Sequence, residues 1–400
     1  MIKYNDWFIV ENSKEVIAYQ TDAETFIKFK LNDYVNKRDD CYKILDKQLK
    51  SISLKQEIFL DITVVMTHKC NLTCIYCFES KQMLNSTSRN IKFDVDRLLK
   101  YLYNLLDKNA YTKVIIRFFG GEPLIEKDSI ILIMNSLLRQ YTNIKIVGVV
   151  FTNAYSLNED TCVRLRNSGI KIIHTTLDGY DKSHNLHKTK LNGEGTFGII
   201  FNNISTSLKY FQVTVRVNIS KLNIDDIGLL FKQLALNERK GELKLDIRKL
   251  NYNGIKNNDI YLSDAEFMIL YIDYLKIALS LNLDCIVLPQ KQNHYCVANN
   301  KDAFIIEPYG GILRCTEEIG DPTRIYTDIE NSFFDEEEHS KWMQSDYHNK
   351  CKDCLVFELC RGKCPRERVR TGNLSCTYNI QYFESLLNLK FKFNKMKGVS

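Results

Sequence analysis

Long apolar stretches are absent from this 400-residue sequence. No segment reaches the roughly 20 apolar residues that a membrane-spanning helix needs. The first ten residues include Lys3 and Asp6 and lack the apolar core of a secretion signal. We therefore expect a cytoplasmic protein without a membrane partner.

A concentrated patch of one charge is also absent. The formal net charge is +6, from 55 basic and 49 acidic residues spread along the chain. A nucleic-acid partner would require a clustered basic face within a recognisable module, and the sequence contains none. Only the end of the chain is locally basic, and we expect residues 386–400 to form a solvated basic tail.

Thirteen cysteines are the unusual part of a composition that is otherwise ordinary, with 44% hydrophobic and 26% charged residues. A chain of this length can bury a sizeable core in two or three domains. Because thiols are kept reduced in the cytoplasm, disulfide bonds are not their expected use. Their spacing instead indicates metal ligands.

Six apolar, β-branched runs alternate with helix-like stretches in the middle of the chain. Continuous apolar runs are typical of buried parallel strands, and βα repeats build a parallel sheet covered by helices. Because a full barrel needs eight units, we predict a partly open (β/α)6 barrel with its active site at the C-terminal ends of the strands. The predicted strands are Ile58–Met66, Val114–Phe119, Ile144–Phe151, Ile170–Leu177, Val213–Ile219 and Leu243–Leu250.

Composition divides the chain into five predicted segments. Residues 1–57 form an N-terminal element, residues 58–250 the barrel, and residues 251–290 a linker with a helix. Residues 291–385 are rich in cysteine, which indicates a domain held by metal more than by an apolar core. The basic tail, residues 386–400, completes the chain.

Three cysteines lie in one loop directly after the first predicted strand. Cys70, Cys74 and Cys77 have the spacing CxxxCxxC, at the catalytic end of the barrel. Three thiolates can hold three irons of a [4Fe–4S] cube, which leaves the fourth iron open for a small molecule. Structural zinc is the alternative, but zinc prefers four ligands and only His68 stands near as a fourth.

A Gly-Gly-Glu-Pro sequence, residues 120–123, follows the second predicted strand, beside the cysteine loop. The glycine pair lets backbone approach a ligand closely, and Glu122 could receive an ammonium group. With these motifs the chain resembles the radical S-adenosylmethionine (radical SAM) superfamily over roughly residues 58–250. The resemblance implies that the open iron binds the amino and carboxylate groups of S-adenosylmethionine (SAM). Reductive cleavage then releases a 5′-deoxyadenosyl radical, which abstracts hydrogen from a substrate.

The same resemblance implies a set of cofactor-binding residues. On the fifth strand, an arginine of an Arg-x-Asn sequence would pair with the methionine carboxylate, or else form a structural ion pair. A lysine after the fourth strand stands where relatives often carry an arginine. The set comprises Gly120, Gly121, Glu122, Pro123, Thr152, Asn153, Asp178, Lys188 and Arg216.

A second cysteine array occupies the C-terminal region and resembles the SPASM domain, which holds two auxiliary [4Fe–4S] clusters. A zinc ribbon is the competing interpretation. The resemblance implies three [4Fe–4S] clusters in all. It assigns Cys296, Cys315 and Cys364 to auxiliary cluster I, and Cys351, Cys354, Cys360 and Cys376 to auxiliary cluster II.

Auxiliary cluster I lacks a fourth cysteine in this assignment. Gln290 stands where fully ligated relatives have one, and Cys285 lies further upstream in an apolar run. A small buried hydrophobic residue is the simpler interpretation of Cys285. An iron left open here could bind a substrate thiolate.

SPASM-bearing relatives mostly modify peptides, so we expect a precursor peptide as substrate, crosslinked through a thioether or carbon–carbon bond. Formylglycine formation, as in anaerobic sulfatase maturation, is the alternative. Its catalytic aspartate is replaced by Thr316, but Glu317 or Glu318 could act as the base. A non-enzymatic iron–sulfur electron carrier and a zinc-bound interaction protein are alternatives from other classes.

Two further partners follow from the peptide-maturase interpretation. The N-terminal element would be a cap on the barrel or a reduced leader-peptide-binding element that adds a strand to a sheet edge. The reductant would be an electron donor such as flavodoxin or ferredoxin.

Overall fold

A computed structural model describes most of the chain. The described residues are 1–11, 15–20, 25–51, 58–78, 94–250, 258–287, 296–343, 351, 353–357, 364–372 and 380–398. No helix among them is both long enough and apolar enough to cross a membrane.

The N-terminal residues form an antiparallel sheet followed by two helices. Its strands, adjacent in chain order, are β1 (Ile2–Tyr4), β2 (Trp7–Glu11), β3 (Glu15–Gln20) and β4 (Thr25–Lys30), and the helices are α1 (Leu31–Asn36) and α2 (Arg38–Ser51). Successive side chains of a strand point to opposite faces. Trp7 and Ile9 therefore pack with Leu45 of α2, whereas Phe8 and Val10 pack against a C-terminal helix.

The barrel begins with a strand that leads directly into the cysteine loop. Its strands are β5 (Phe59–Thr67), β7 (Lys113–Gly120), β8 (Lys145–Phe151), β9 (Ile170–Thr176), β11 (Gln212–Ile219) and β12 (Leu243–Lys249). Two short strands, β6 (Leu72–Cys74) and β10 (Lys188–Lys190), pair outside the main sheet. The helices of this part are α3 (Val95–Lys108), α4 (Lys127–Gln140), α5 (Glu159–Asn167), α6 (Lys182–His187), α7 (Phe197–Ser207) and α8 (Ile227–Ala235).

The rest of the chain extends this sheet at both edges. It contains α9 (Asp264–Ser280), β13 (Asp284–Cys285), β14 (Ala303–Ile306), β15 (Gly311–Leu313), β16 (Thr327–Asp328), α10 (Glu336–Met343), α11 (Pro365–Thr371) and α12 (Ile380–Met396). The spatial order is β13-β12-β11-β9-β8-β7-β5-β14-β15-β16. All pairs from β13 to β14 are parallel, and the last two are antiparallel.

The predicted partial barrel with a SPASM-type C-terminal region is confirmed as the fold. The six predicted strands appear as six consecutive neighbours in the sheet. Strands β13 and β14 were not predicted, because runs of two and four residues carry little periodic signal. Through β14 the cysteine-rich region continues the barrel sheet directly, by pairing with β5.

The two faces of the barrel sheet differ in exposure. On β7, Val114, Ile116 and Phe118 are buried in the core with the helices, whereas the alternate residues Arg117 and Phe119 are only partly buried. The alternate face lines the inside of the open barrel, which we call the lumen. Water therefore reaches the lumen, as a substrate would need to.

The expected solvated tail at residues 386–400 was wrong. Residues up to Met396 belong to α12, whose Leu386, Leu387 and Phe393 are each about 1% exposed. Leu386 and Phe393 pack in the barrel core, whereas Leu387 belongs to a second apolar cluster, so α12 lies between the barrel and the N-terminal sheet. Leu387 packs against Phe8 and Ile17 of the N-terminal sheet.

Replacing Leu387 with Ala should lower the free energy of unfolding by about 2–5 kcal/mol, because it opens a cavity between α12 and the N-terminal sheet. Urea unfolding of the anaerobically purified protein measures this. The matched control is Leu132→Ala on α4, where the side chain is 51% exposed and the expected change is below about 1 kcal/mol. Equal effects would show that α12 does not dock as described.

Candidate active site

The first cysteine loop is held by the two-stranded sheet of β6 and β10. Cys74 stands opposite Lys188 in this pairing, and the amide of Cys77 donates to the carbonyl of Cys74 at 3.2 Å. Burial raises the pKa of the Cys74 thiol to about 12, and the Lys188 ammonium opposes that rise. Cys70 precedes β6 by two residues and Cys77 follows it by three, so all three cysteines belong to this one short loop.

Three cysteines on one loop are the ligand set of a [4Fe–4S] cluster with one open iron. In a [4Fe–4S] cube each thiolate binds its own iron. His68 is engaged elsewhere, because its Nε2 lies 3.1 Å from Oε2 of buried Glu307, beyond β14.

Gly120 and Gly121 bring the end of β7 against the cysteine loop. A Cβ atom at Gly120 would lie 2.2 Å from the carbonyl oxygen of Thr67, and one at Gly121 would lie 2.5 Å from that of Lys69. Gly120 also has a φ of +130°, which L side chains rarely adopt. The glycine pair therefore lets two loops touch, and its predicted approach to the cofactor stays a prediction.

Glu122 is fully buried and joins three loops. Its Oε1 accepts from Thr152 Oγ1 at 2.7 Å and from the Leu124 amide at 3.0 Å, and its Oε2 accepts from the Asn153 amide at 2.8 Å. Burial raises the pKa of Glu122, and these donors oppose the rise. Pro123 begins the 3-10 turn that supplies the Leu124 amide.

Asn153 connects this group to the cysteine loop. Its Nδ2 donates to Asn71 Oδ1 at 2.8 Å and lies 3.8 Å from the Cys70 sulfur. Thr152 and Asn153 thus stand beside the cysteine loop, as the sequence predicted for the cofactor pocket. Their contacts in this structure are with Glu122 and the loop, and cofactor binding by them stays a prediction.

Asp178 is a second buried carboxylate that joins the loop to the barrel. It accepts from the Tyr76 hydroxyl and, at 3.0 Å each, from the amide and side chain of Asn218. Lys188 Nζ lies 3.7 Å from it and also donates to Thr176. Burial alone would raise the pKa of Asp178, but Lys188 and the other neighbours outweigh it, and the pKa lies below its usual value.

Tyr76 was missed by the sequence analysis, although it stands between two of the cysteines. Arg216, predicted to meet the cofactor's carboxylate, is paired with Asp246 on the neighbouring strand at 2.9 Å. The predicted cofactor residues thus divide into two groups around Glu122 and Asp178, with Arg216 on the lumen wall.

The three cysteines assigned to auxiliary cluster I come together. Each stands directly before a helical turn: Cys296 before Val297–Asn299, Cys315 before Thr316–Glu318, and Cys364 before α11. Burial raises the pKa of Cys315 and of Cys296, and both thiols are influenced by Cys364. Such a set of neighbouring thiols fits an iron–sulfur cluster.

The cysteines assigned to auxiliary cluster II are described only in part. Cys351 and Cys354 are adjacent, with the amide of Cys354 donating to the carbonyl of Cys351 at 3.3 Å. Cys354 packs against the N-terminal sheet. Cys360 and Cys376 lie outside the described residues, as does Gln290. Cys285 is on β13, opposite Leu245 in the barrel core, which agrees with its interpretation as a small buried hydrophobic residue.

Arg370 ties the segments that carry the auxiliary cysteines. Its guanidinium donates to both carboxylate oxygens of Glu318, at 2.5 and 2.8 Å, and to both oxygens of Glu338. It also lies over the ring of Trp342, whose carbonyl accepts from Asn299 at 2.6 Å. One side chain of α11 therefore links the turns that follow Cys315, Cys364 and Cys296.

The two candidate bases differ in their surroundings. Glu318 is 3% exposed, and Arg370 engages both of its oxygens. Burial raises the pKa of Glu317, and Arg366 and Arg216 oppose the rise. Since Arg370 already engages both oxygens of Glu318, Glu317 is the better candidate for the base.

The comparisons with known proteins agree with this geometry. Residues 64–234 match the family model of the Radical SAM superfamily. A cysteine-type anaerobic sulfatase-maturating enzyme of Clostridium perfringens (strain 13 / Type A) is 22% identical over 354 residues, which cover 80% of this chain and 93% of that enzyme.

Two solved structures share the fold. Native anSMEcpe with bound AdoMet and Cp18Cys peptide has a TM-score of 0.66 at 18% identity, and the match covers 85% of this chain and 99% of that one. Streptococcus suis SuiB bound to precursor peptide SuiA has a TM-score of 0.57 at 14% identity, over 90% of this chain and 94% of that one.

The site and the family match define an enzyme class, in which a cysteine loop and SAM generate a radical inside a partial barrel. The chain carries a radical SAM domain and is a radical SAM enzyme. Its family implies a [4Fe–4S] cluster and SAM as cofactors. The total of three clusters stays a prediction.

Replacing Glu122 with Gln should lower the free energy of unfolding by about 1–3 kcal/mol. The NH2 group of the glutamine would replace one carboxylate oxygen, so a backbone amide or hydroxyl that donates to this oxygen in the wild type would lose its acceptor. Urea unfolding measures the change. The control is Glu126→Gln in the same 3-10 turn, whose carboxylate has only a long contact of 3.5 Å to Ser129. An unchanged unfolding midpoint for the Glu122 variant would contradict the conclusion that Glu122 holds the three loops together.

Replacing Arg370 with Gln should remove about four irons per chain, one cluster, because the turns bearing the auxiliary cysteines lose their link. Iron and sulfide counts after anaerobic reconstitution measure this, and SAM cleavage should persist because the first cysteine loop is untouched. Arg370→Lys should be intermediate, since lysine cannot bind two carboxylates as a planar fork. Arg324→Gln, which removes an arginine that pairs with Asp321 at 3.3 Å, is the control. Full iron content in the Arg370→Gln variant would refute the prediction.

Proposed function

We propose that this enzyme oxidises a side chain of a peptide or protein substrate, and that it converts a cysteine or serine to formylglycine. The observation that carries the proposal is the strand pairing that joins the auxiliary turn to the barrel. Strand β14 pairs with β5, which leads into the first cysteine loop, and Cys315 lies two residues after β15, the neighbour of β14 in the same sheet. The auxiliary cysteines, which would hold an electron acceptor, therefore follow strands of the sheet that also carries the first cysteine loop.

Formylglycine formation from cysteine removes one hydrogen atom, one proton and one electron, and the resulting thioaldehyde is hydrolysed. The bound cofactors would supply the radical that takes the hydrogen atom and would accept the electron. The chain itself must take the proton. Of the two glutamates after Cys315, Glu318 is bound by Arg370 through both oxygens, so we assign this role to Glu317.

The relatives support a polypeptide substrate. The sequence match covers 93% of the sulfatase-maturating enzyme of Clostridium perfringens. The two solved structures contain a Cp18Cys peptide and the precursor peptide SuiA, respectively. The lumen is open to solvent along its charged wall, which suits one side chain of a larger chain. A flavodoxin or ferredoxin as reductant remains part of this proposal.

Peptide crosslinking is the second candidate, and the N-terminal sheet favours it. In the described residues, β4 forms the edge of that sheet and pairs only with β3. An edge strand can receive an extended peptide as an added strand. Crosslinking also removes one hydrogen atom, one proton and one electron. The two candidates therefore differ in the next step, which is reaction with water for formylglycine and bond formation with another part of the peptide for a crosslink.

The test is anaerobic reaction of the reconstituted enzyme with SAM, a reductant and cysteine-containing peptides. We expect 5′-deoxyadenosine together with a product that has exchanged its sulfhydryl group for an aldehyde. Loss of two hydrogens without loss of sulfur would support the crosslink instead. Formation of 5′-deoxyadenosine without any modified peptide across sulfatase-type and precursor-type sequences would contradict a polypeptide substrate.

Glu317→Gln should reduce product formation by about 10²–10⁴-fold, the usual contribution of a general base. SAM cleavage should continue, because the first cysteine loop is not changed. Glu336→Gln, at the exposed start of α10, is the control and should retain activity. Full product formation by the Glu317 variant would remove it as the base.

A further inference from the structure

Two arginines share one buried carboxylate on the lumen wall. Asp246 on β12 is 3% exposed. Arg216 on β11 reaches its Oδ2 through Nε at 3.0 Å and Nη2 at 2.9 Å, and Arg248 reaches its Oδ1 through Nε at 2.6 Å. We call Arg216, Asp246 and Arg248 the lumen triad.

The triad lies on the inner face of the sheet. The residues directly before and after Arg216 and Asp246 point to the opposite, outer face of the sheet and are buried in the core. They are Val215, Val217, Leu245 and Ile247. The arginine side chains are 47% and 36% exposed. Arg216 projects from inside the sheet, whereas β12 pairs with the short strand β13 only at Lys244 and Leu245. The two guanidinium groups therefore meet the water that fills the lumen.

The triad carries excess positive charge. Burial would raise the pKa of Asp246, but Arg248 and Arg216 outweigh it and keep the carboxylate ionised. Within the triad, two guanidinium groups face one carboxylate, an excess of one positive charge. In the described residues, most N–H groups of these two guanidinium groups stay unused.

A single carboxylate is the ligand that matches this excess. Its planar, singly charged group accepts paired bonds from guanidinium forks, whereas a dianionic phosphate would overcompensate. The open iron expected to bind the SAM carboxylate belongs to the first cysteine loop, beside β5 and β7, which argues against the pairing of Arg216 with that carboxylate predicted from the sequence. Strand β12 lies four strand spacings from β7 in the sheet, about 19 Å along its curve.

We propose that the lumen triad binds a carboxylate of the substrate, an acidic side chain or a chain-terminal carboxylate close to the residue that is modified. This rests on the proposed function insofar as the lumen is taken as the substrate site. It gives Arg216 and Arg248 a role in substrate selection.

The experiment compares two probes that differ only in charge, the dipeptide N-acetyl-aspartyl-cysteine amide and its asparaginyl counterpart. Their binding to the reconstituted, SAM-loaded enzyme is measured by calorimetry, and SAM affinity is measured separately. We expect the aspartyl probe to bind about tenfold or more tightly than the asparaginyl probe, as charge-assisted hydrogen bonds provide. Arg248→Gln should remove this preference and leave SAM affinity unchanged.

The controls separate charge from folding. Arg164→Gln, on the outer surface where it pairs with Asp128, should keep the preference. Arg248→Lys should keep the fold and part of the preference for the aspartyl probe. It therefore still tests the inference if Arg248→Gln fails to fold.

Two results would overturn the inference. One is the absence of an aspartyl preference in the wild-type enzyme. The other is a loss of SAM affinity in Arg248→Gln, which would assign the triad to the cofactor's own carboxylate. The proposed function fails separately, if the preference is present and no peptide is modified.

Discussion

The backbone pairing of β5 on both of its edges is the constraint on which the rest of the structure depends. On one side β5 pairs with β7, which brings Gly120 and Gly121 against the cysteine loop. On the other side it pairs with β14, which starts the auxiliary sheet. Because paired strands lie about 4.8 Å apart, both cysteine regions are fixed relative to one strand, and the buried pair of His68 and Glu307 joins them again at its end.

Buried carboxylates then fix the loops around that strand. Glu122 and Asp178 are each fully buried, and each accepts hydrogen bonds from donors on different strands or loops. A buried carboxylate that lost its partners would be costly, so these donors are held in one arrangement. The loops that surround the first cysteine site are thereby ordered by the protein's own contacts, which suits a site that must position a reactive cofactor.

The cysteine-rich region is held by charge more than by apolar packing. The small apolar cluster around Trp342 contains only Ala298 and Cys315 as its other buried members among the described residues. The bonds of Arg370 to Glu318 and Glu338 supply the missing constraint. Because both carboxylates and most of the arginine are shielded from water, these ion pairs are screened less than surface ones. On the lumen wall, Asp246 holds two arginines in a similar way, but with charge left over for a ligand.

The sequence by itself determined the barrel and the identity of its cysteine motif. Continuous apolar runs and helical spacing repeat at fixed intervals, and CxxxCxxC with Gly-Gly-Glu-Pro is a local pattern that needs no knowledge of the fold. The tertiary structure decided which polar residues meet. It engaged Glu122 with loop donors, paired Arg216 with Asp246, added Tyr76 to the site, bound Glu318 to Arg370, and docked α12 where a free tail was expected. Such contacts join residues far apart in sequence, and no local periodicity records which strand edges and side chains the folded sheet brings together.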